Sequence, residues 1–320
     1  MRIHHYPSVI DSNGKKPVVT LGTFDGVHLG HQKILKQLVE KAKYHNTHSI
    51  LVTFDKHPKF TLQKSHNAVF LLTTPEERSA IFEQMGIDYL YCITFNENIA
   101  LMPADVFVKN VFVQKLNVGE VIIGYDHRFG HQGTGNIALL EKMGDANDFS
   151  VEEIDAETVH ENTISSTKIR NFIDEGNVFA ANKFLGYNFS LRGTVKEGKK
   201  IGNSIGFPTA NIEVKNKLKI VPANGVYAVN VEVDGKIYGG MMNIGLRPTV
   251  NGNNHAIEAH IFDFNKNIYK KEITVYFVKK LRDERKFPNL AGLREQLEHD
   301  RIESKTILSE TTDFKVYPYH

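Results

Sequence analysis

Cysteine is all but missing: Cys92 is the single one in 320 residues. One cysteine excludes an intrachain disulfide framework and fits a reducing, cytoplasmic setting. It sits in the apolar run Tyr89-Leu-Tyr-Cys-Ile93, where a buried packing role is expected. No apolar run approaches membrane-spanning length, and Met1-Arg-Ile-His-His5 offers no signal-peptide core, so no membrane partner is expected. Charge of one sign is lacking too. A formal net charge of +2 and a pI of about 8.4 are too near balance to imply a nucleic-acid footprint. Low-complexity linkers and internal repeats are absent. The length favours two domains over one, each able to bury a core.

The stretch around which the first half is organised is Thr20-Leu-Gly-Thr-Phe-Asp-Gly-Val-His-Leu-Gly-His31. Pro17–Leu21 before it reads as a buried strand. Ile34, Leu35, Leu38, Val39 and Ala42 after it recur at helical spacing, and Ser49–Phe54 supplies a second strand. The resulting βαβ unit places His28 and His31 where a turn enters a helix, beside backbone N–H groups and a positive dipole end, an arrangement that suits phosphate. Gly22, Gly26 and Gly30 would let ligand and backbone approach closely. The alternatives are a metal half-site and a purely structural pair. A tetrahedral zinc site wants further Cys or His ligands nearby, and the other histidines show no clear paired spacing.

The alternation continues. Thr73-Thr-Pro-Glu-Glu77 is a helix start and Gly86 its stop. Asp88–Phe95 is a strand, Pro103–Leu116 a helix with Val106, Phe107, Val111 and Phe112 as its apolar stripe, and Glu120–Ile123 a strand. Short apolar strands separated by helices specify a parallel sheet covered on both faces. His57-Pro58 reads equally as a nucleotide-lining pair or a strand breaker. Gly124-Tyr-Asp-His-Arg-Phe-Gly130, with Asp126 and Arg128, falls at the strand C-terminal edge that carries the first motif, and could hold a flat ring and an anionic tail or be a surface loop. Ile164-Ser-Ser-Thr-Lys-Ile-Arg170 opens a helix with more hydroxyls and cations than a cap requires, a candidate clamp for phosphates. A short helix, Asn177–Leu185, closes at Gly186.

Beyond Gly186 the pattern changes to alternating strands: Phe189–Val195, Gly225–Val233, Lys236–Ile244, His255–Phe262 and Glu272–Leu281. Asp234-Gly235 is a two-residue hairpin signal, and strands at this spacing suggest a small closed barrel. A final helix from Leu290 to about Lys305, with Leu293, Leu297 and Ile302 on one face, would cover it. The boundary is placed at 186, giving domains 1–186 and 187–320. Two segments exceed what a barrel needs. Gly198–Asn211 reads as a phosphate cradle whose Thr209 and Asn211 could hold Mg²⁺, or as a plain glycine loop. Glu258 reads as a solvent-facing strand carboxylate, or as an acceptor for a hydroxyl proton.

Across residues 1 to 305 the chain resembles the prokaryotic bifunctional riboflavin kinase/FAD synthetase family. Gly22–His31 matches the adenylyltransferase signature shared with other nucleotidyltransferases; Gly124–Gly130 and Ser165-Ser-Thr-Lys-Ile-Arg170 narrow it to the flavin adenylyltransferase half. Gly206-Phe-Pro-Thr-Ala-Asn211, Asn243-Ile-Gly-Leu-Arg-Pro-Thr249 and Leu281-Arg-Asp-Glu-Arg-Lys-Phe287 are similar to riboflavin kinase. The resemblance implies an α/β fold, a Rossmann-like nucleotidyltransferase domain with a parallel sheet, followed by a small antiparallel β-barrel with a C-terminal helix. It implies two reactions: riboflavin and ATP to FMN, then FMN and a second ATP to FAD and pyrophosphate, with Mg²⁺.

For the kinase half the resemblance makes Glu258 the catalytic base and Thr209 and Asn211 the Mg²⁺–ATP ligands. Gly202, Gly206, Pro208 and Asn243 would serve as ligand-binding positions, and Arg282, Glu284 and Phe287 belong to a loop closing over flavin. For the synthetase half it places Gly22, Phe24, Asp25 and Gly30 in the ATP signature, His28 and His31 on the phosphates, and Ser165, Ser166, Thr167 and Arg170 at the leaving pyrophosphate. Asp126 aligns with a polar family position near the FMN phosphate and the nucleotide, and Arg128 of the same loop is a further candidate ligand-binding residue. Two departures stand out. Asn203 occupies a position where most members carry Arg, leaving Lys199 or Lys200 to replace that contact, and Gln132–Asn136 lacks a basic residue common in the family. Both activities are expected to survive, as a monomer or weak homo-oligomer acting on small molecules. Retention of one activity only, or another small-molecule nucleotidyltransferase, is the alternative. A tRNA synthetase would need a Lys-Met-Ser-Lys-Ser-like loop that is missing, and a non-catalytic flavin regulator would not need the phosphate machinery.

Overall fold

The computed structural model describes residues 1–12, 14–55, 70–156, 158–159, 162–198, 202, 205–249, 252–311 and 315–317, without the side chains of 158, 159, 162, 246–249 and 252–255. The chain divides into two compact units, Met1–Ser165 with Tyr317 at the chain end, and Ser166–Val316.

The first unit is a six-stranded parallel sheet. In chain order it runs β1 (Arg2–His5), β2 (Val18–Leu21), α1 (Leu29–Tyr44), β3 (Ser49–Phe54), α2 (Pro75–Gln84), β4 (Tyr89–Ile93), α3 (Glu97–Ala100) and α4 (Ala104–Phe107). A π-helical turn (Val108–Val113), β5 (Glu120–Gly124), α5 (Ile137–Asn147), β6 (Ser150–Ile154) and a small ribbon of β7 (Thr158–Val159) and β8 (Asn162–Thr163) follow. The strand order is β1-β4-β3-β2-β5-β6, with every pairing parallel. β2 and β3 are buried almost throughout, as their continuous apolar runs require. The sequence gives no sign of β1 and β6 because both are edges: their residues are mostly exposed or half-buried and carry neither apolar run nor clean alternation. Helix α2 starts at Thr74 with a complete capping box to Glu77. The helix expected over Pro103–Leu116 is α4 continued by the π turn. Val106, placed in its apolar stripe, is 38% exposed, while Phe107, Val111 and Phe112 are buried. Cys92, expected to be buried, is half-buried.

The second unit opens with α6 (Ser166–Asp174) and α7 (Val178–Leu185). It then closes a barrel from β9 (Ser190–Lys196), β10 (Ala210–Val214), β11 (Gly225–Val233), β12 (Lys236–Thr249), β13 (Gly252–Ile261) and β14 (Glu272–Arg282), and ends in α8 (Leu290–Glu310). The barrel order is β10-β13-β12-β11-β14-β9, antiparallel throughout. Asp234 and Gly235 turn β11 into β12 with φ of 51° and 74°, the two positive values of a type I′ hairpin. Contacts divide the chain at 165/166, ahead of the residue-186 boundary read from the sequence. The reason is local: Asn182 of α7 donates to the Phe277 carbonyl at 2.9 Å and accepts from the Phe189 amide at 2.8 Å, while the Ala223 amide donates to Ile173 of α6 at 3.2 Å. Helix α8 packs on β11, β12 and β14. Its covered face carries buried Asp300 and Ser304 with half-buried Leu293 and Leu297; Ile302, assigned to that face from spacing, is 64% exposed.

Candidate active sites

In the sheet unit the order reverses between β2 and β5, and a cavity of about 610 Å³ opens at the C-terminal edge there. Its walls include Gly22, Phe24, His31, Asp126 and Arg128. The turn from β2 to α1 is strained. Phe24 and Val27 have φ of 48° and 34°, and Gly26 has 82°. Three ties hold it in that shape: Arg78 Nη1 donates to the Thr23 carbonyl at 2.5 Å, the Gly26 amide to Thr73 Oγ1 at 2.9 Å, and Gln32 Nε2 to the Val27 carbonyl at 2.8 Å. Phe24, 3% exposed, packs edge-on to His31 at 5.0 Å and to Phe82 at 6.1 Å. A Cβ on Gly22 would come within 2.9 Å of the Phe24 ring, so the glycine's smallness serves this packing.

His28 caps α1. Its Nδ1 accepts from the His31 amide at 3.2 Å, which leaves the His28 proton on Nε2, and the two rings stack at 3.6 Å. Burial holds the His31 pKa well below its ordinary value, with smaller contributions from His28 and Arg78. His31 Nδ1 is sealed from solvent without a hydrogen-bond partner among the described residues. Burial therefore favours the neutral form of the His31 ring, and one backbone N–H expected to be free at the helix start is taken by His28 itself. Asp25, expected to contact ligand, is 1% exposed. Its carboxylate instead accepts from the Leu72 amide at 3.1 Å and the Thr73 amide at 3.0 Å, anchoring the loop ahead of α2. Gly30 sits in the first turn of α1 and does not line the cavity.

The β5 loop closes on itself through paired hydrogen bonds between Phe129 and Gly135 at 3.2 and 2.8 Å. Asp126 and Arg128 are exposed at the rim, and between them the His127 ring stacks against buried Phe129 at 6.0 Å. His127 lines the cavity, its Nε2 lacks a partner among the described residues, and burial lowers its pKa to about 4. Sequence reasoning weighs it only as half of a metal pair with His131 and sets it aside because Gly124, Gly130 and Gly133 argue against one helical face, although it lies inside a motif already singled out. Ser165, Ser166, Thr167 and Arg170 form the approach to and first turns of α6 and line none of the three cavities described.

In the barrel unit, register builds the site. Lys196 faces Asn211, Asn211 faces Glu258, Glu258 faces Asn243, Asn243 faces Val226, and Val226 faces Arg282. Directly opposed residues share a sheet face, so Asn211, Glu258, Asn243 and Arg282 stand along one rung of the barrel wall. Glu258, Asn243 and Arg282 line a cavity of about 400 Å³, walled by apolar side chains that include Phe207, Met241, Phe287 and Leu297. A second cavity of about 350 Å³ lies against Pro208, Ala259, Phe264 and Tyr269, and Thr209 lines both. Sequence reading missed β10, which carries Asn211, and the whole Phe264–Tyr269 wall; neither has enough alternation to be seen.

Glycines serve the loops here by close approach. A Cβ on Gly198 would fall 2.1 Å from the Asn211 amide nitrogen, one on Gly202 2.1 Å from the Phe207 carbonyl, and one on Gly245 2.2 Å from the Glu284 carboxylate. Gly206 turns with φ of 84°. Arg282, expected in a loop, ends β14, and its guanidinium grips buried Asp300 of α8 through Nε at 2.9 Å and Nη2 at 2.7 Å. Phe287 lies under Arg282 and Arg285. His57, Pro58, Lys199, Lys200 and Asn203 lie outside the described residues. No helix among the described residues is long and apolar enough to cross a membrane.

A parallel α/β sheet with an imidazole pair at its switch point, followed by a barrel with a carboxylate rung beside two cavities, defines a two-site nucleotide-handling class. Comparison makes it particular. Residues 10–168 match the FAD synthetase family model and residues 185–308 the riboflavin kinase model. The bifunctional riboflavin kinase/FMN adenylyltransferase of Buchnera aphidicola is 38% identical over 301 residues, covering 92% of this chain and 94% of its own. That of Listeria monocytogenes is 36% identical, covering 97% and 98%. A solved Streptococcus pneumoniae protein, named as a macrolide-efflux protein, superposes with a TM-score of 0.87 at 30% identity over 95% of this chain and 99% of its own. The chain belongs to the bifunctional riboflavin kinase/FMN adenylyltransferase family.

Proposed function

We propose that the family's two reactions are divided between the two units, kinase chemistry in the barrel and adenylyl transfer in the sheet. The enzyme converts riboflavin and ATP to FMN and ADP, then FMN and ATP to FAD and pyrophosphate. The observation that carries the division is the rung Asn211–Glu258–Asn243 beside Thr209, a residue common to two cavities. Two substrates need two pockets meeting at one wall. The larger, with aromatic and aliphatic walls, suits the flavin ring; the smaller, with Phe264 and Tyr269, suits a nucleotide base.

In the barrel, Glu258 takes the proton of the ribityl 5′-hydroxyl as its oxygen bonds to the γ-phosphorus and the bond to the β-phosphate oxygen breaks. Thr209 and Asn211 offer a hydroxyl and an amide oxygen, with the Glu258 carboxylate opposite Asn211. An all-oxygen set of this kind fits Mg²⁺, which when bound would neutralise phosphate charge. Asn243 and Phe287 orient the flavin. In the sheet unit the FMN phosphate is already an anion, so no enzyme nucleophile is needed: its oxygen bonds to the α-phosphorus of ATP and pyrophosphate departs. His28 and His31 donate N–H groups to phosphate oxygens from a site whose geometry is set in advance, and Asp126 and Arg128 edge the FMN end. Ser165, Ser166, Thr167 and Arg170 are assigned to the departing pyrophosphate by motif resemblance alone.

The deciding experiment is incubation with riboflavin, ATP and Mg²⁺ and chromatography of the products. FMN followed by FAD is expected. FMN without FAD removes the synthetase assignment; FAD from supplied FMN but none from riboflavin removes the kinase assignment.

A further inference from the structure

The ladder between β10 and β13 is short. Its register pairs are Ala210 with Ala259 and Asn211 with Glu258, and there it stops. One step further, Thr209 would face His260, but no backbone pairing continues. The Pro208 carbonyl, just before the strand, would be left without a ladder partner beside the wall that both barrel cavities share. The His260 side chain fills that gap: its Nδ1 lies 2.8 Å from the Pro208 oxygen. A carbonyl can only accept, so the Nδ1 carries the proton and the imidazole donates. The ring is 9% exposed and wedged against Phe207 at 5.2 Å and Phe262 at 5.8 Å, so it cannot easily swing away. Burial also keeps its pKa below the ordinary value, which favours the neutral ring. His260 lines the flavin-sized cavity, Pro208 lines the nucleotide-sized one, and Thr209 lines both.

We propose that His260 is a positioning residue for phosphoryl transfer, its Nδ1–H extending the β10–β13 ladder by one side-chain bond and so fixing Thr209 at the wall between the two cavities. The proposal rests on the kinase reading of the barrel. Its effect is on geometry at Thr209 and not on proton transfer, so it should appear in turnover and in the nucleotide KM, and it should follow the hydrogen bond and not the bulk of the side chain.

The test exploits the shapes of the amides. The Asn side-chain nitrogen falls close to the imidazole Nδ1 position, whereas that of Gln falls near Nε2 and cannot reach Pro208. His260→Asn is expected to keep riboflavin phosphorylation within threefold of native. His260→Gln and His260→Leu are expected to lose about tenfold or more in kcat/KM for ATP, the worth of one well-placed hydrogen bond. FAD formation from supplied FMN serves as a control and should not change. If His260→Asn falls as far as His260→Gln, ring packing and not the hydrogen bond is what matters, and the proposal is overturned. It is equally overturned if all three variants stay within twofold of native. Should His260→Leu fail to fold, the Asn and Gln pair still decides. If the native chain makes no FMN at all, the kinase reading itself falls, an outcome distinct from either of these.

Discussion

Glu258 shows how little a residue's chemistry can be judged from its own strand. An acid in an alternating strand usually points to water; here cross-strand register sets it between two asparagines and into a cavity. Glu258→Gln keeps the shape and removes the carboxylate that the proposed kinase reaction uses as its base. FMN formation should fall by about a hundredfold or more while riboflavin binding and FAD formation from supplied FMN persist, all readable by product chromatography and flavin fluorescence. The imidazoles make a pH prediction. His127 has its folded pKa lowered from 6.5 to about 4 by burial, and that of His31 is lowered too. The unfolded chain therefore binds more protons than the folded one between about pH 6.5 and 4. Stability from these rings is complete above the unfolded value and is lost as pH falls through that window, by up to about 3 kcal/mol for His127. Thermal unfolding at pH 7.5 and pH 5 should show a large acid loss in the native protein and a smaller one in His127→Phe.

At the scale of elements, α8 is fastened to the barrel at the cavity edge. Arg282 at the end of β14 and buried Asp300 on α8 form a two-point pair, with Gln296 donating to the same carboxylate at 2.7 Å. Asp300→Ala strands the guanidinium and should cost about 3 kcal/mol in denaturant unfolding, and it should raise the riboflavin KM because Leu293 and Leu297 of the same helix wall the pocket. Legibility varied by element for identifiable reasons. The β2–α1–β3 unit, the capping box at Thr74 and the Asp234-Gly235 hairpin follow from local rules of burial, capping and turn geometry. The edge strands β1 and β6 escape because their exposed and half-buried residues form neither an apolar run nor an alternation. Strand β10 escapes because five residues after a glycine loop carry too short a pattern. Ile302 and Val106 were misplaced by helical periodicity alone, which cannot tell which neighbouring face a helix meets.

For the molecule as a whole, two units with separate sites predict separable activities. His31→Ala should accumulate FMN from riboflavin and make FAD at about one hundredth of the native rate, while Glu258→Gln should do the reverse with supplied FMN. Mixing the two variants should restore conversion of riboflavin to FAD, with FMN passing through solution; chromatography that finds FMN but no FAD in the mixture would argue against independent sites. The division of contacts at 165/166 also bears on truncation. Cutting at 186 would remove α6 and α7, whose hydrogen bonds to Phe277, Phe189 and Ala223 belong to the barrel unit.

By itself the sequence determined the fold class, the two kinds of unit and the identities of the chemical groups. Periodicity, caps and turns act over a few residues, and the motifs are contiguous. Tertiary structure alone decided which of those groups face a ligand. It sent Asp25 into a backbone anchor and Arg282 onto Asp300, left His31 a neutral ring, and brought His127 and His260 to cavity walls. Those outcomes depend on burial and on pairing between residues far apart in the chain, and no local pattern carries that information.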